Sequence, residues 1–352
     1  MFDAHQTKDE VRSGHSAGHA SHHRAEPGRR RRHPWRVVLV TLGSLLALVI
    51  VAGIGSYAYV NHVVSSIPRL QVAHLVADSG SSTLNGQTFL ITAYPLGPTG
   101  QSSKKVAQSG FSDMIMLLHT NANGKGGGAV TIPGNISVNA PGAAPGAGAE
   151  PLWNTIQQGG PSLLVQTITQ FTGIPINHYA RLDFNHISSL VNAVGGIDVT
   201  VPKATKGYGY TFVKGVNHLT GVTAIYYGRD PAVSSQNRLL RQENLVRTVI
   251  TKIADDHLLT NPITMVHVLN AITSMMAVDS NFTNADIVAL VKHFGSLAAD
   301  AATFVTTPTR TVSGNVVPNV ALDNQLWTAV KHDSIAAFAK KYPSTVAPKV
   351  TP

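Results

Sequence analysis

The chain has 352 residues, 43% of them apolar and 13% charged, with 27 Lys and Arg against 18 Asp and Glu and no cysteine. The apolar share excludes a chain disordered throughout, and a charge content below the ~25% usual for soluble domains excludes a nucleic-acid binder kept soluble by basic residues. Without cysteine there are no disulfides, thiol nucleophile, iron–sulfur cluster or cysteine-ligated zinc.

Residues 1–36 hold eight Lys and Arg, four Asp and Glu, six of the 16 His, and the run Arg29-Arg30-Arg31-Arg32. No helix or strand period is present, so the segment reads as a disordered, basic, cytoplasmic tail. His15, His19, His22 and His23 have a spacing that could hold Zn²⁺ or Ni²⁺ weakly, although a flexible polar tail is the plainer reading. Val37–Val60 follows, 24 residues without a charge, amide or imidazole. As a helix it would span roughly 36 Å, enough for a hydrocarbon core of ~30 Å. The apolar region of a signal peptide is only about 7–15 residues, so an uncleaved transmembrane helix is predicted. Arginines crowd the N-terminal side of this run, while Arg69 is the only Lys or Arg soon after it. The positive-inside rule therefore places the main domain outside the cell membrane as a single-pass protein. A 36-residue tail without a recognition helix cannot read bases, so no nucleic-acid partner is expected.

Residues 61–85 read as a stalk before a first strand, Thr88–Thr92. Met114–His119 is a short apolar run suited to a buried strand, with Ala129–Pro133 as its partner after a turn at Asn121–Gly128. Ser137–Glu150, almost all Ala, Gly, Pro and Asn, reads as an insertion. Helical spacing starts near Pro161 and stops at Gly173 with Pro175 just beyond. Tyr179–Phe184 is strand-like, Ile187–Val194 helical, and Ile197–Val201 a strand after Gly195-Gly196. Pro202–Gly221 is expected as a loop and Ala224–Tyr227 as a short strand or turn. Helices are predicted over Asn237–Asp256, Pro262–Met276, Asn284–Ala298 and Leu322–Lys331, with a last strand at Phe304–Thr307. Residues 334–352 read as a C-terminal tail. Strands alternating with helices indicate an α/β fold or a mixed sheet covered by helices.

Several stretches, in order, resemble the LytR-CpsA-Psr family of cell-wall glycopolymer ligases over about residues 86–333. They are Phe171-Thr-Gly-Ile-Pro-Ile-Asn-His-Tyr179, Leu182-Asp-Phe184, Gly195-Gly-Ile-Asp-Val199 and His218-Leu-Thr-Gly-Val-Thr-Ala-Ile225, followed by Tyr227, Arg229, Arg238 and Arg241-Gln242. The resemblance implies an α/β/α sandwich around a central mixed β-sheet. It also implies transfer of a glycopolymer from a polyprenyl pyrophosphate lipid to peptidoglycan with Mg²⁺. Such chemistry needs guanidinium forks on a pyrophosphate, a metal-bound carboxylate and an apolar slot for the isoprenoid. Arg238, Arg241 and Gln242 stand at i, i+3 and i+4, on one helical face, with Arg229 a loop earlier. Arg247, at i+9 from Arg238, is expected to point away. By resemblance Arg229, Arg238 and Arg241 are the catalytic and substrate-binding arginines, Gln242 supports them, and Asp113 binds the metal.

The departures fall on charged positions. Where the family carries an Asp and an Arg after the first strand, this chain has Pro95 and Gly97. Phe111 stands in place of an Arg, Gly134-Asn135 in place of an Arg-Asp pair, Leu152 in place of a Lys, and Ser235 or Gln236 in place of an acid. These substitutions raise the alternative of a non-catalytic relative that binds lipid phosphate or glycopolymer as a scaffold or regulator.

Overall fold

Along the strand Met114–Thr120, Met114, Met116 and Leu118 enter one apolar core while Ile115 and Leu117 enter another. The same alternation sends Phe89, Ala129, Ala180 and Phe304 to the first core and Leu90, Val130, Tyr179 and Val305 to the second. Side chains two residues apart share a sheet face, so strands apolar on both faces must be covered by helices on both. The computed structural model describes residues 58–77, 85–93, 114–143, 148–256, 258, 261–296 and 302–346.

Among the described residues the central sheet has seven strands: β1 (Arg69–Leu70), β2 (Thr88–Ala93), β3 (Met114–Thr120), β4 (Gly127–Pro133), β5 (His178–Leu182), β6 (Met276–Asp279) and β7 (Ala302–Thr306), in the order β1-β6-β5-β2-β3-β4-β7. It is mixed, with β1/β6, β2/β5 and β4/β7 parallel and the other pairs antiparallel. The first core is closed by the helices Ile187–Ala193, Gly221–Arg229, Ser235–Asp255, Pro262–Met275 and Asn284–Ser296. The second is closed by Asn154–Thr172, Val320–Lys331 and Ile335–Lys341. This is the expected sandwich of helices around a mixed sheet.

Several elements differ from the sequence reading. The expected stalk carries a helix over 58–65 and the edge strand β1. The expected loop Pro202–Gly221 holds the hairpin Thr205–Gly207/Tyr210–Phe212 and the strand Gly215–Leu219, which pairs with Ile197–Val201 outside the central sheet. Ala224–Tyr227 is helical rather than extended. The Thr220 N–H donates to Thr223 Oγ1 at 2.8 Å, and that capping interaction starts the helix despite its aromatic and β-branched content. The expected tail after Asp333 contributes the helix Ile335–Lys341, because Ile335, Phe338 and Ala339 are needed to seal the second core. The helix ending at Gly173 begins at Asn154 instead of Pro161, and Gly160 breaks its helical dihedrals just before the proline. The tail 1–36, most of Val37–Val60, and Asp113 lie outside the described residues. Among the described residues no helix is long and apolar enough to cross a membrane.

The Gly195-Gly196 turn has φ of +78° and +88°, a region costly for a side chain. A Cβ on Gly196 would also lie 3.1 Å from the Leu219 carbonyl oxygen. Gly196→Ala is expected to lower stability by about 1–2 kcal/mol, read as a lower unfolding midpoint of the full chain.

Candidate functional site

The site region is a helix–loop–helix. Gly221–Arg229 ends at Asp230-Pro231, and Ser235–Asp255 begins after a short loop. Two hydrogen bonds clamp the helices: Gln242 Nε2 donates to the Gly228 carbonyl at 3.1 Å, and Arg241 Nη1 lies 3.5 Å from the Tyr227 carbonyl. They draw Arg229 up against the turn that carries Arg238, Arg241 and Gln242. All four predicted residues therefore belong to one junction.

Their heads nevertheless go to different partners. Arg241 is fully buried and pairs with the equally buried Asp230, Nη1 to Oδ2 at 2.8 Å. Its Nη2 donates to Thr205 Oγ1 at 3.2 Å, and its guanidinium lies 4.7 Å from the Tyr227 ring centre and 5.7 Å from that of Phe212. Helical spacing anticipated a phosphate-facing group here. The structure closes Arg241 off from solvent with a carboxylate from the end of the preceding helix, across the interhelical loop. Asp230 is in turn saturated: Thr205 Oγ1 donates to it at 2.8 Å and the Ala232 N–H at 2.9 Å.

Arg229 and Arg238 stay partly exposed. Arg238 Nη1 donates to the Val233 carbonyl at 2.8 Å, which folds its side chain back over the interhelical loop. The Arg229 guanidinium lies 5.9 Å from the centre of the Phe184 ring. Burial lowers the Arg229 pKa from its ordinary value, while Tyr208 and Asp183 act to raise it. A guanidinium that has shed part of its water binds an anion more strongly than one on an open surface.

Sequence reasoning missed Glu243 and Asn244, the two residues after Gln242. Arg241, Gln242, Glu243 and Asn244 are all buried, and at 100° per residue they cover most of the helix circumference. The helix is thus enclosed at this turn. Glu243 accepts from Thr306 Oγ1 on β7 at 3.3 Å. Burial pushes its pKa up to about 7, against the opposing effects of Thr131, Thr306 and Arg247. Arg247, expected to face away, is partly buried one turn on and donates to Asn244 Oδ1. Burial lowers its pKa, with Glu243 and Tyr227 opposing. An acid directly after Arg-Gln was the only available signal, and nothing in its spacing shows that the sheet covers it.

Among the described residues no three His, Asp or Glu side chains gather as metal ligands. Asp230 is committed to Arg241 and does not fit as a Mg²⁺ ligand.

The fold and this junction together define an α/β/α sandwich with two partly exposed arginines beside a sealed ion pair. The family model for LytR_cpsA_psr matches residues 74–342, and the chain belongs to that family. It is similar to a polyisoprenyl-teichoic acid–peptidoglycan teichoic acid transferase, TagU, of Enterococcus faecalis, with 25% identity over 260 residues, 72% of this chain and 82% of that one. It is similar in fold to the crystal structure of Bacillus subtilis TagV, with TM-score 0.57, 19% identity, 72% of this chain and 98% of that chain. The structure of TagT bound to LIIa-WTA gives TM-score 0.56 and 18% identity over 75% of this chain and 99% of that one.

Proposed function

We propose that this chain is a membrane-anchored envelope protein that grips a polyprenyl-diphosphate-linked glycopolymer for attachment to peptidoglycan. The observation that carries the reading is the pair Arg229 and Arg238, partly exposed at one helix junction and backed by a rigid, buried frame. Two guanidiniums can present parallel N–H forks to a diphosphate, and charge-assisted bonds of this kind are about twice as strong as neutral ones. In this reading Arg229 and Arg238 hold the diphosphate. Gln242 fixes the turn by its bond to the Gly228 carbonyl, and Arg241 sets the frame from inside through Asp230. The arginine-rich tail and the apolar run Val37–Val60 support an anchor with the domain outside the membrane. The isoprenoid of such a lipid needs an apolar slot beside this junction.

A second reading, binding without transfer, is favoured by two observations. Arg241 is withdrawn into an ion pair, and seven positions where the family carries charge are uncharged here. In the transferase reading Asp113 partners a Mg²⁺ ion shared with substrate phosphates. Full-length protein in lipid nanodiscs, given a polyprenyl-diphosphate glycan and a peptidoglycan acceptor, separates these readings. Transfer stimulated by Mg²⁺, abolished by EDTA, and lost in Arg229→Ala and Arg238→Ala supports the transferase. Retention of the lipid without turnover, weakened about 10- to 100-fold in the same variants, supports the binder. Failure of the wild-type protein to bind the lipid would overturn both.

A further inference from the structure

Beside Arg229 lies an exposed aromatic feature that neither the diphosphate grip nor the fold requires. Tyr208 stands at the tip of the hairpin Thr205–Gly207/Tyr210–Phe212, and its side chain is 55% exposed. Its ring stacks on that of Tyr226, centres 5.4 Å apart and planes at 22°. Tyr226 is half-buried on the helix that ends in Arg229. One face of Tyr208 is therefore backed by a second ring, and the flat pair is held in a fixed orientation.

The backbone beneath it runs against local preference. Tyr208 has φ of +52° and Gly209 of +78°, a two-residue loop with both residues left-handed. Such a turn favours Asn-Gly or Gly-Gly, and a large side chain at its first position costs about 1–2 kcal/mol. A strained, exposed aromatic held at a hairpin tip contributes nothing to the core. Departures of this kind concentrate at binding sites.

The hairpin is also tied to the arginine junction. Thr205, at its base, donates to Asp230 and accepts from Arg241. A Cβ on Gly207 would fall 2.4 Å from Asp230 Oδ1, so only glycine lets the strand approach so closely. The buried ion pair thus fixes the aromatic pair relative to Arg229. The Tyr208 phenol is near enough to act electrostatically on the Arg229 guanidinium.

We infer that Tyr208 and Tyr226 form a stacking platform for a sugar ring, the one next to the diphosphate of a lipid-linked glycan. The inference rests on the diphosphate reading above. In such a lipid the first sugar is bonded directly to the outer phosphate, so its subsite must adjoin the phosphate grip. A pyranose presents an apolar C–H face that packs on an aromatic ring, and its hydroxyls remain in water at a lip of this kind. Arg229 takes the phosphate and Tyr208 the ring attached to it.

The test compares two ligands on full-length protein in nanodiscs: polyprenyl diphosphate alone, and the same lipid carrying a hexosamine. Tyr208→Asn removes the ring and keeps a residue that suits the left-handed turn, so the hairpin survives. It is expected to weaken the glycosylated lipid about tenfold and leave the bare diphosphate unchanged, while Tyr208→Phe retains both affinities. Equal weakening of the two ligands, or no change in either, would overturn the platform while Arg229-dependent binding of the bare lipid still supports the diphosphate reading. Lys203, Lys206 and Lys214 are exposed on or beside the same hairpin, so anionic vesicles without glycan form the third arm. A loss of vesicle binding in Tyr208→Asn would assign the ring to a membrane surface and overturn the sugar site. No binding of either lipid by the wild-type protein would sink the diphosphate reading itself.

Discussion

Arg241→Ala is expected to destabilise the domain by about 3–5 kcal/mol, because it strands the fully buried Asp230 carboxylate without its counter-charge. For a domain of this size that corresponds to roughly 10 °C in unfolding midpoint. The loss is more than one ion pair. The same guanidinium holds Thr205 and packs beside Tyr227 and Phe212, so the hairpin and the helix junction loosen together. The double variant Asp230→Ala/Arg241→Ala should lose less than the sum of the two single variants, since the orphaned charge is removed along with its partner. Denaturant unfolding of the four proteins measures this coupling. Additive losses would mean that the two groups do not act as a pair. This result also bears on function. A residue placed directly on phosphate would change ligand affinity with little effect on stability, whereas a buried strut does the reverse.

The second large effect is a dependence of stability on pH that runs opposite to ordinary acid unfolding. Burial pushes Glu243 from 4.5 up to about 7 and Asp323 from 3.8 up to about 7. Asp323 is 2% exposed, and among the described residues neither of its buried carboxyl oxygens has a hydrogen-bond partner. A raised folded-state value means that the folded chain keeps its proton while the unfolded chain has released it. The contribution is therefore full below about pH 4, falls as pH rises from about 4 to 7, and is flat above that. The shifts correspond to about 3 kcal/mol for Glu243 and at most about 4 kcal/mol for Asp323 across that window. Glu243→Gln and Asp323→Asn should each remove part of the fall, so the variants gain on the wild type as pH rises from 5 to 8. Urea unfolding at several pH values reads this directly. A variant-minus-wild-type difference that stays constant across the range would contradict the buried, protonated carboxyls.

The central strand Met114–His119 was legible because both faces of the sheet are buried, so it appeared as a short apolar run instead of an alternation. Gly173 and Pro175 marked a helix end that the structure reproduces, with Gly173 at φ +64°. Elements with a short or ambiguous local pattern were missed. The hairpin at Tyr208 is mostly exposed, and helix Gly221–Arg229 has strand-like residues under a Thr-based cap. Ile335–Lys341 is only seven residues, too short for a period to emerge.

The site was legible in part for the same kind of reason. Spacing alone put Arg238, Arg241 and Gln242 on one face of a helix, and family resemblance supplied their role. Spacing could not show which of those faces would be sealed. Asp230 reaches Arg241 across a loop, and Thr306 reaches Glu243 from another element altogether. Such partners are set by tertiary packing and leave no local trace.

The most direct measurement is a structure of the full-length protein with polyprenyl diphosphate bound. The account places the diphosphate within hydrogen-bonding distance of the Arg229 and Arg238 guanidiniums, with Arg241 still paired to Asp230. Density for the diphosphate on a different surface, with those two arginines in their present positions, would contradict it.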